Sequence, residues 1–260
     1  MSDQALLTVS FGTSYDDARR QAIDATEAAL SAAFPGLPAY RAFTSGMVRR
    51  ALRGRGIDIP GMSESLARMQ IDGVKDVICQ PTHLIYGEEY DKLCAALEGV
   101  EPHFRRVAVG RPLLADYDDI ARVLRAVSGT VCREPDEALV LMGHGTKHFC
   151  NTVYAAMDYF ARRNGFRDVC IGTVEAWPDL VTAIDSVRER GFARAVLTPL
   201  MLVAGDHARN DMNGPGPESW LSRFRAAGIQ TRAVVRGLGE YPEIRRIYCD
   251  HAREASEHVL

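Results

Sequence analysis

Three residues of types that can bind transition metals follow three successive apolar runs in the second half of the sequence. His144 stands between Gly143 and Gly145, which allow a tight backbone turn and leave the imidazole uncrowded. Glu175 ends the next apolar run, and His207 lies beyond the one after it. A lone histidine near a strand end is usually an ordinary polar residue, but three such residues after neighbouring strands favour a shared site. Two imidazoles and one carboxylate suit Co²⁺, Fe²⁺, Ni²⁺ or Zn²⁺ rather than Mg²⁺ or Ca²⁺.

The loop that precedes residue 90 supplies further candidates. Glu89 lies 118 positions before His207, and together with Glu88 it forms an acidic pair. If the two halves of the chain repeat, Glu89 faces the predicted metal site and is a candidate catalytic carboxylate. The alternative is a solvated helix start, where the helix dipole favours carboxylates. His83 in the same loop has the same two interpretations.

The remaining histidines carry weaker signals. His148 follows His144 by one helical turn, and we expect an exposed side chain there, with a role behind the metal ligands as the alternative. His251 and His258 are seven residues apart on a predicted terminal helix, and this spacing predicts surface positions.

Short apolar runs alternate with segments of helical period, which predicts strands buried on both faces and joined by helices. The eight predicted strands are Ala5–Val9, Ala39–Phe43, Val74–Gln80, Arg106–Gly110, Ala138–Met142, Asp168–Val174, Ala193–Thr198 and Thr231–Arg236. Strands separated by helices need right-handed parallel crossovers. The predicted fold class is therefore α/β, with two similar doubly wound parallel-sheet domains related by a pseudo-twofold axis.

An internal repeat supports two halves. At a constant offset of 118 positions, four of five paired residues are identical between the segments 73–89 and 191–207, and a second match at an offset of 133 pairs Phe11-Gly12-Thr13 with His144-Gly145-Thr146. We expect domains at 1–128 and 137–260, a linker over Ser128–Asp136, and a last helix that packs on either half. Ligands of open α/β sheets bind beyond the carboxyl ends of the strands, so the predicted active site lies in the cleft between the domains.

Composition excludes several classes of protein. The 31 Lys and Arg residues against 34 Asp and Glu give a net charge of −3, which argues against a nucleic-acid partner. No apolar run approaches the ~20 residues that a membrane span needs. The first residues show no export signal, and six scattered cysteines fit reduced thiols, so we expect a cytoplasmic protein without a membrane partner. Whether copies of the chain form a homo-oligomer stays open.

Several motifs resemble the anaerobic-pathway sirohydrochlorin cobaltochelatases, a class II chelatase family. The resemblance runs from about residue 5 to 250 and is carried by Ser10-Phe11-Gly12-Thr13-Ser14, Arg41-Ala42-Phe43-Thr44-Ser45-Gly46-Met47, Met142-Gly143-His144-Gly145, Val174-Glu175 before Pro178, and Pro199-Leu200-Met201-Leu202-Val203-Ala204-Gly205-Asp206-His207 with Asn210-Asp211-Met212. The block from Pro199 to Met212 is the most specific. The chain departs from the family pattern at Thr82, where a serine is expected, and at Glu88, where an aspartate is expected.

The resemblance implies an ATP-independent lyase that inserts Co²⁺ into sirohydrochlorin, a precorrin-2-type tetrapyrrole, with release of two protons in cobalamin synthesis. It implies that His144, Glu175 and His207 bind the cobalt and that His144 also accepts a proton. The macrocycle carboxylates need donors, and the candidates for substrate binding are Ser10, Phe11, Thr13, Ser14, Arg41, Thr44 and His83. Some relatives also bind haem through a histidine near the His83 loop, which leaves that option open here.

Three other functions fit the same residues. A sirohydrochlorin ferrochelatase for sirohaem synthesis would share the architecture, because selectivity among divalent ions at such sites depends on supply and geometry. A tetrapyrrole or metal carrier would keep the ligands without turnover. A metal-dependent hydrolase would use them to activate water. The sequence contains no P-loop or dinucleotide-binding fingerprint, so we expect no nucleotide cofactor.

Overall fold

The computed structural model describes residues 3–98 and 103–257 and divides them into two compact units. The first unit contains the described residues up to Ala115 together with those from Pro242 onward, and the second is Asp116–Tyr241. Residues 128–136, the predicted linker, therefore connect a helix and a strand inside the second unit. The two-domain α/β fold class is confirmed, because each unit contains a four-stranded, fully parallel sheet with helices between the strands.

The first unit has the strand order β2-β1-β3-β4. Its strands are β1 (Gln4–Ser10), β2 (Ala39–Phe43), β3 (Asp76–Pro81) and β4 (Arg106–Val109). Helix α1 covers residues 16–33 and contains a π-helical stretch at Arg19–Asp24. The other helices are α2 (Gly46–Arg53), α3 (Met62–Ile71), α4 (Glu88–Glu98) and the terminal α9 (Pro242–Glu257).

The second unit repeats this order as β6-β5-β7-β8. Its strands are β5 (Glu137–Gly143), β6 (Val169–Thr173), β7 (Arg194–Leu200) and β8 (Gln230–Ala233). Its α-helices are α5 (Tyr117–Thr130), α6 (Thr152–Arg163), α7 (Leu180–Glu189) and α8 (Trp220–Ala226), with a π-helix at His207–Met212. The same strand order in both units is what a duplicated sequence predicts.

All eight predicted strands are present; β2 has the predicted bounds, and the ends of the others shift by at most three residues. The central strands are buried along their whole length because helices cover both faces, which explains why they appear as continuous apolar runs rather than as alternating patterns. Side-chain caps mark helix starts, as at Asp116 and Asp179, whose carboxylates accept from the N–H groups of Asp119 and Thr182 at 2.9 Å.

Helix α9 belongs to the first unit, where it packs on α1, β3 and β4. The Tyr248 hydroxyl donates to the Thr82 carbonyl at 2.8 Å, and the Arg106 guanidinium donates to the Ser256 carbonyl at 2.6 Å. The expectation of a surface position for His251 is wrong. Its side chain is buried, and Nδ1 lies 3.1 Å from the Arg111 carbonyl oxygen. His258 lies outside the described residues.

Within residues 3–98 and 103–257, no helix combines the length and the hydropathy that crossing a bilayer requires.

A buried carboxylate joins three elements of the second unit. Asp158 on α6 accepts from the Ile171 N–H of β6 at 3.2 Å and from Arg190, just after α7, at 2.7 Å. Arg162 pairs with the same carboxylate from the next turn of α6. The Arg190 and Asp158 side chains are only 12% and 8% exposed, so each neutralises a charge that water barely reaches.

We expect Asp158→Ala to lower the free energy of unfolding by about 3 kcal/mol, because it leaves the buried Arg190 charge uncompensated. The measurement is urea denaturation followed by circular dichroism. Asp58→Ala, which removes the partner of the solvent-exposed Arg53, is the matched control and should change stability little. A loss for Asp158→Ala no larger than that of the control would show that this ion pair is not structural.

Candidate metal centre

His144, Glu175 and His207 come together at the carboxyl-terminal edge of the second sheet. One ligand atom from each of the three lies within 4.8 Å of the others. The two imidazole rings are edge-to-face with centroids 4.6 Å apart, and Oε2 of Glu175 lies 3.8 Å from Nδ1 of His144. The three follow β5, β6 and β7, which are neighbours in the sheet, so parallel pairing brings their ends to one place.

The backbone fixes the loop of His144 against the loop of Glu175. The Glu175 N–H donates to the His144 carbonyl at 2.9 Å, which continues the pairing of β5 and β6 beyond the sheet. Gly145 has a φ of 83°, and a Cβ there would lie 2.9 Å from the Ala176 nitrogen and from the Thr173 Cβ. The glycine therefore allows both the left-handed turn and the close contact of the two loops.

Asn151 is a second link between these loops, and sequence reasoning missed it. Its Oδ1 accepts from the Thr146 N–H at 3.0 Å, and its Nδ2 donates to the Trp177 carbonyl at 2.5 Å. Thr146 is two residues after His144, and Trp177 is two residues after Glu175. One side chain therefore fixes the spacing of both ligand-bearing loops, and no local motif around residue 151 predicts this role.

Hydrogen bonds orient both imidazoles. Nδ1 of His144 lies 2.8 Å from the Gly145 carbonyl oxygen, and Nδ1 of His207 lies 2.5 Å from Oδ2 of Asp211. Because a carbonyl or carboxylate oxygen accepts, these contacts favour the tautomer in which Nδ1 donates and Nε2 has the free lone pair. This outer arrangement is the usual one around metal-binding histidines. The side chains of His144 and Glu175 are about half exposed, which leaves coordination positions open to a partner of the ion.

The first unit has the same backbone at this edge but different side chains. The Ser45 N–H donates to the Phe11 carbonyl at 3.2 Å, as the Glu175 N–H does to His144. Gly12 repeats the left-handed turn of Gly145 with a φ of 99°. In these pairings, Phe11 takes the place of His144 and Ser45 that of Glu175. The offset of 118 positions pairs Glu89 with His207, so the three counterparts are a phenyl ring, a hydroxyl and a carboxylate. These positions of the first unit therefore do not repeat the set of three ligands.

Glu89 is an ionised, hydrogen-bonded carboxylate. Partial burial raises the pKa of Glu89, but hydrogen bonds from Lys92 and Thr44 outweigh this effect and hold the pKa below its usual value. The two donors lie 2.7 and 2.6 Å from the carboxylate oxygens. Such a group is a weak proton acceptor and a persistent negative charge. Its position at the start of α4 agrees with the helix-start interpretation, and its predicted catalytic role stays a prediction.

His83 is a neutral imidazole with an unusual environment. Both ring nitrogens are buried and have no hydrogen-bond partner among the described residues, although part of the side chain reaches the surface. Burial lowers the pKa of His83 to about 4, and the nearby Glu89 carboxylate opposes this shift only in part. His83 is therefore uncharged at neutral pH.

The other residues predicted to bind substrate differ in their exposure and in whether their polar groups already have partners within the protein. Thr44 donates to Glu89, while Ser10 and Thr13 are buried, and Ser10 accepts from the Thr82 hydroxyl at 2.8 Å. Arg41 lies inside β2 and pairs with Asp24 and Glu27, so its geometry does not favour substrate binding. Two candidates face solvent: Phe11 is 46% exposed, and Ser14 lines an open depression of about 660 Å³ beside Arg20 and Arg55.

His148 has a structural position. Its Nδ1 accepts from the Cys150 N–H at 3.2 Å and caps the short 3₁₀-helix Phe149–Asn151. It is not one of the residues that meet at the metal centre.

Comparison with known proteins places the chain in a family. The cobalt chelatase (CbiK) family matches residues 4–257, which is nearly the whole sequence. The chain belongs to this family. The chelatase is 41% identical over 254 residues to a protein of Salmonella typhimurium named sirohydrochlorin cobaltochelatase, covering 97% of this chain and 96% of that one. It is 36% identical over 226 residues to the sirohydrochlorin cobaltochelatase CbiKC of Nitratidesulfovibrio vulgaris, covering 85% and 80% of the two chains.

The fold of the chelatase is shared more widely. SirB from Bacillus subtilis, solved with Fe³⁺, superposes with a TM-score of 0.68 over 98% of this chain and 96% of SirB. Sequence identity in that alignment is 14%, so the likeness concerns the fold alone.

We expect Gly145→Ala to weaken Co²⁺ binding by more than about tenfold, because the added methyl group forces the loop of His144 away from that of Glu175. Isothermal titration with Co²⁺ measures the effect. Gly165→Ala is the matched control, since Gly165 has a φ of 91° but no atom within 4 Å of the place that a methyl group would occupy. The control should lose stability through backbone strain and keep its Co²⁺ affinity. Equal Co²⁺ affinities in the two variants would contradict the role of this contact.

The environment of His83 predicts a pH dependence of stability. The unfolded state binds a proton at this imidazole near pH 6.5, whereas the folded state does so only near pH 4, so stability falls as the pH drops from 6.5 to 4. The contribution is up to about 3 kcal/mol. Urea denaturation over this pH range should give a smaller slope for His83→Gln than for the wild type. His103→Gln, at an exposed position, should keep the wild-type slope.

Proposed function

We propose that this chelatase inserts Co²⁺ into sirohydrochlorin with release of two protons, as a step of cobalamin synthesis. The observation that carries the proposal is the convergence of two imidazoles and one carboxylate at a solvent-open strand edge, in a chain 41% identical to a sirohydrochlorin cobaltochelatase. Co²⁺ is the substrate ion, and His144, Glu175 and His207 are its proposed ligands. The predicted cleft between the domains stays a prediction.

Three ligands suit delivery better than four. A closed site of four strong ligands gains stability from saturation and retains its ion, whereas a three-ligand site keeps positions for incoming groups. The exposed side chains of His144 and Glu175 are consistent with such exchange. By replacing part of the aqua shell in advance, the ligands lower the barrier to desolvating the ion before it meets the pyrrole nitrogens.

The ring nitrogens of His144 suggest the order in which the ion and the proton are transferred. In the tautomer in which Nδ1 of His144 donates to the Gly145 carbonyl, the one free lone pair of the ring is on Nε2. This lone pair cannot hold Co²⁺ and a proton together. We therefore propose that His144 accepts one of the two pyrrole protons only after the ion has left its Nε2, and that the second proton passes to solvent water, which reaches this open site.

Residues of the first unit are proposed to contact the macrocycle. Phe11 offers an exposed ring, and Ser14 lines a depression with Arg20, whose guanidinium suits a substrate carboxylate. Arg55 in the same depression pairs with Asp16 at 3.1 Å. The negative charge of Glu89 is proposed to favour the dication rather than to remove protons. We also propose that the reaction needs no ATP and takes place in the cytoplasm, where six free cysteines are stable.

The direct test is to mix the purified protein, sirohydrochlorin and Co²⁺ without oxygen and to follow the absorbance of the macrocycle. Parallel reactions with Fe²⁺ and Ni²⁺ at equal free concentration determine the preferred ion. Metal insertion that is fastest with Fe²⁺ would identify a ferrochelatase. Tight binding of both substrates without insertion above the uncatalysed rate would identify a carrier. X-ray anomalous scattering from soaked Co²⁺ should place the ion at His144, Glu175 and His207.

We expect His144→Ala to lose Co²⁺ insertion while it keeps its affinity for sirohydrochlorin. General-base groups typically contribute about 10²- to 10⁴-fold, and removal of a metal ligand adds to that loss. Insertion rates and a fluorescence binding titration measure the two properties. His148→Ala, which removes a neighbouring imidazole that caps a 3₁₀-helix, is the control and should retain most of the rate. Near-normal rates for His144→Ala would overturn the mechanism.

A further inference from the structure

Two large aromatic side chains of the second unit face solvent beside the metal centre. Phe149 is 84% exposed and Trp177 is 63% exposed. The other tryptophan of the chain, Trp220, shows the ordinary behaviour of such a residue: it is 3% exposed and stacks on Phe224 in the core. Two exposed aromatic rings leave a large apolar area in water, and such an area marks a binding surface when the residues that carry the rings belong to one framework.

The backbone segments that carry Phe149 and Trp177 belong to the same framework that holds the candidate ligands. Trp177 follows Glu175 by two residues, so their Cα atoms are at most about 7.6 Å apart. Phe149 begins the 3₁₀-helix Phe149–Asn151, and Asn151 at the end of that helix donates to the Trp177 carbonyl at 2.5 Å. The aromatic pair and the metal ligands are therefore carried by the same two loops.

The chemistry of this surface selects a flat apolar ligand. Neither ring contributes to the core of the second unit, and the backbone of both loops is already hydrogen-bonded, so the exposed area is not needed for folding. A tetrapyrrole has wide apolar faces and charged groups only at its rim. Stacking on aromatic side chains suits such faces, as it does the faces of nucleobases.

We propose that Phe149 and Trp177 form a stacking surface that binds the tetrapyrrole beside the proposed metal ligands. The inference rests on the proposed function and adds to it a binding surface for the macrocycle in the same unit that holds the ion. Trp177 is two residues after Glu175 and Phe149 is five after His144, so a macrocycle stacked on these side chains is placed on the loops that carry the proposed ligands of the ion. These aromatic residues set substrate affinity and take no part in proton transfer.

The test uses metal-free sirohydrochlorin and the full chain. We expect Phe149→Ala and Trp177→Ala each to weaken binding of the macrocycle by about tenfold, the loss typical of one stacking side chain. KM for the macrocycle should rise by the same factor while kcat stays unchanged, and Trp177→Phe should restore most of the affinity.

Co²⁺ affinity measured without the macrocycle should not change, which separates a stacking role from a structural one. Tyr159→Ala is the matched control, since Tyr159 is an equally exposed aromatic residue on α6.

Tryptophan fluorescence gives an independent measurement. Trp220 is buried, so quenching by acrylamide reports mainly on Trp177, and the difference from Trp177→Phe isolates that signal. Saturating macrocycle should protect Trp177 from acrylamide. Undiminished quenching in the complex would overturn the proposal, as would wild-type affinity of the two alanine variants. Self-association of the wild type that these variants abolish, with macrocycle binding intact, would instead identify an interface between copies and also overturn it. Protection of Trp177 from acrylamide by the macrocycle, without insertion of Co²⁺, would support the stacking surface and contradict the proposed function.

Discussion

The hydrogen bond from the Glu175 N–H to the His144 carbonyl joins the two loops on which the metal centre depends. It extends the pairing of β5 and β6 one step past the sheet. The backbone positions of His144 and Glu175 are therefore fixed relative to each other, as they are for paired residues in neighbouring strands. Gly145 makes this approach sterically accessible, and Asn151 repeats the connection through its side chain. A three-ligand site of the kind proposed here needs such support, since three ligands are too few for a bound ion to order the loops by itself.

The same constraint operates in both units, but only one of them carries the ligands at these positions. The bond between Ser45 and Phe11 reproduces the bond between Glu175 and His144, and the glycine of each turn has a positive φ. Backbone geometry is thus a property of the duplicated fold, whereas metal chemistry depends on which side chains occupy equivalent positions.

Charge and exposure differ between the candidate metal centre of the second unit and the region of Glu89 and His83 in the first unit. In the second unit, His144 and Glu175 are exposed and His207 is partly buried, and Asp211 and a backbone carbonyl orient the two imidazoles. In the first unit, Glu89 is held as an anion by Thr44 and Lys92, and burial keeps His83 neutral. Ligand exchange requires the first environment. The second supplies fixed charge and neutral polar groups that change little over the physiological pH range.

The sequence by itself determined the eight strands, their parallel direction within two repeated halves, and the three residues that meet at the candidate metal centre. It could do so because strands buried on both faces leave continuous apolar runs, and because residues that follow neighbouring parallel strands must share an edge. Only the tertiary structure decided the roles of residues whose partners are distant in sequence. Arg41 was predicted to bind substrate and pairs with Asp24 and Glu27, and His251 was predicted to be exposed and is buried. The clamp formed by Asn151 also depends on long-range contacts, because a side-chain amide bonds whichever backbone groups the fold brings to it, and no local pattern records which ones those are.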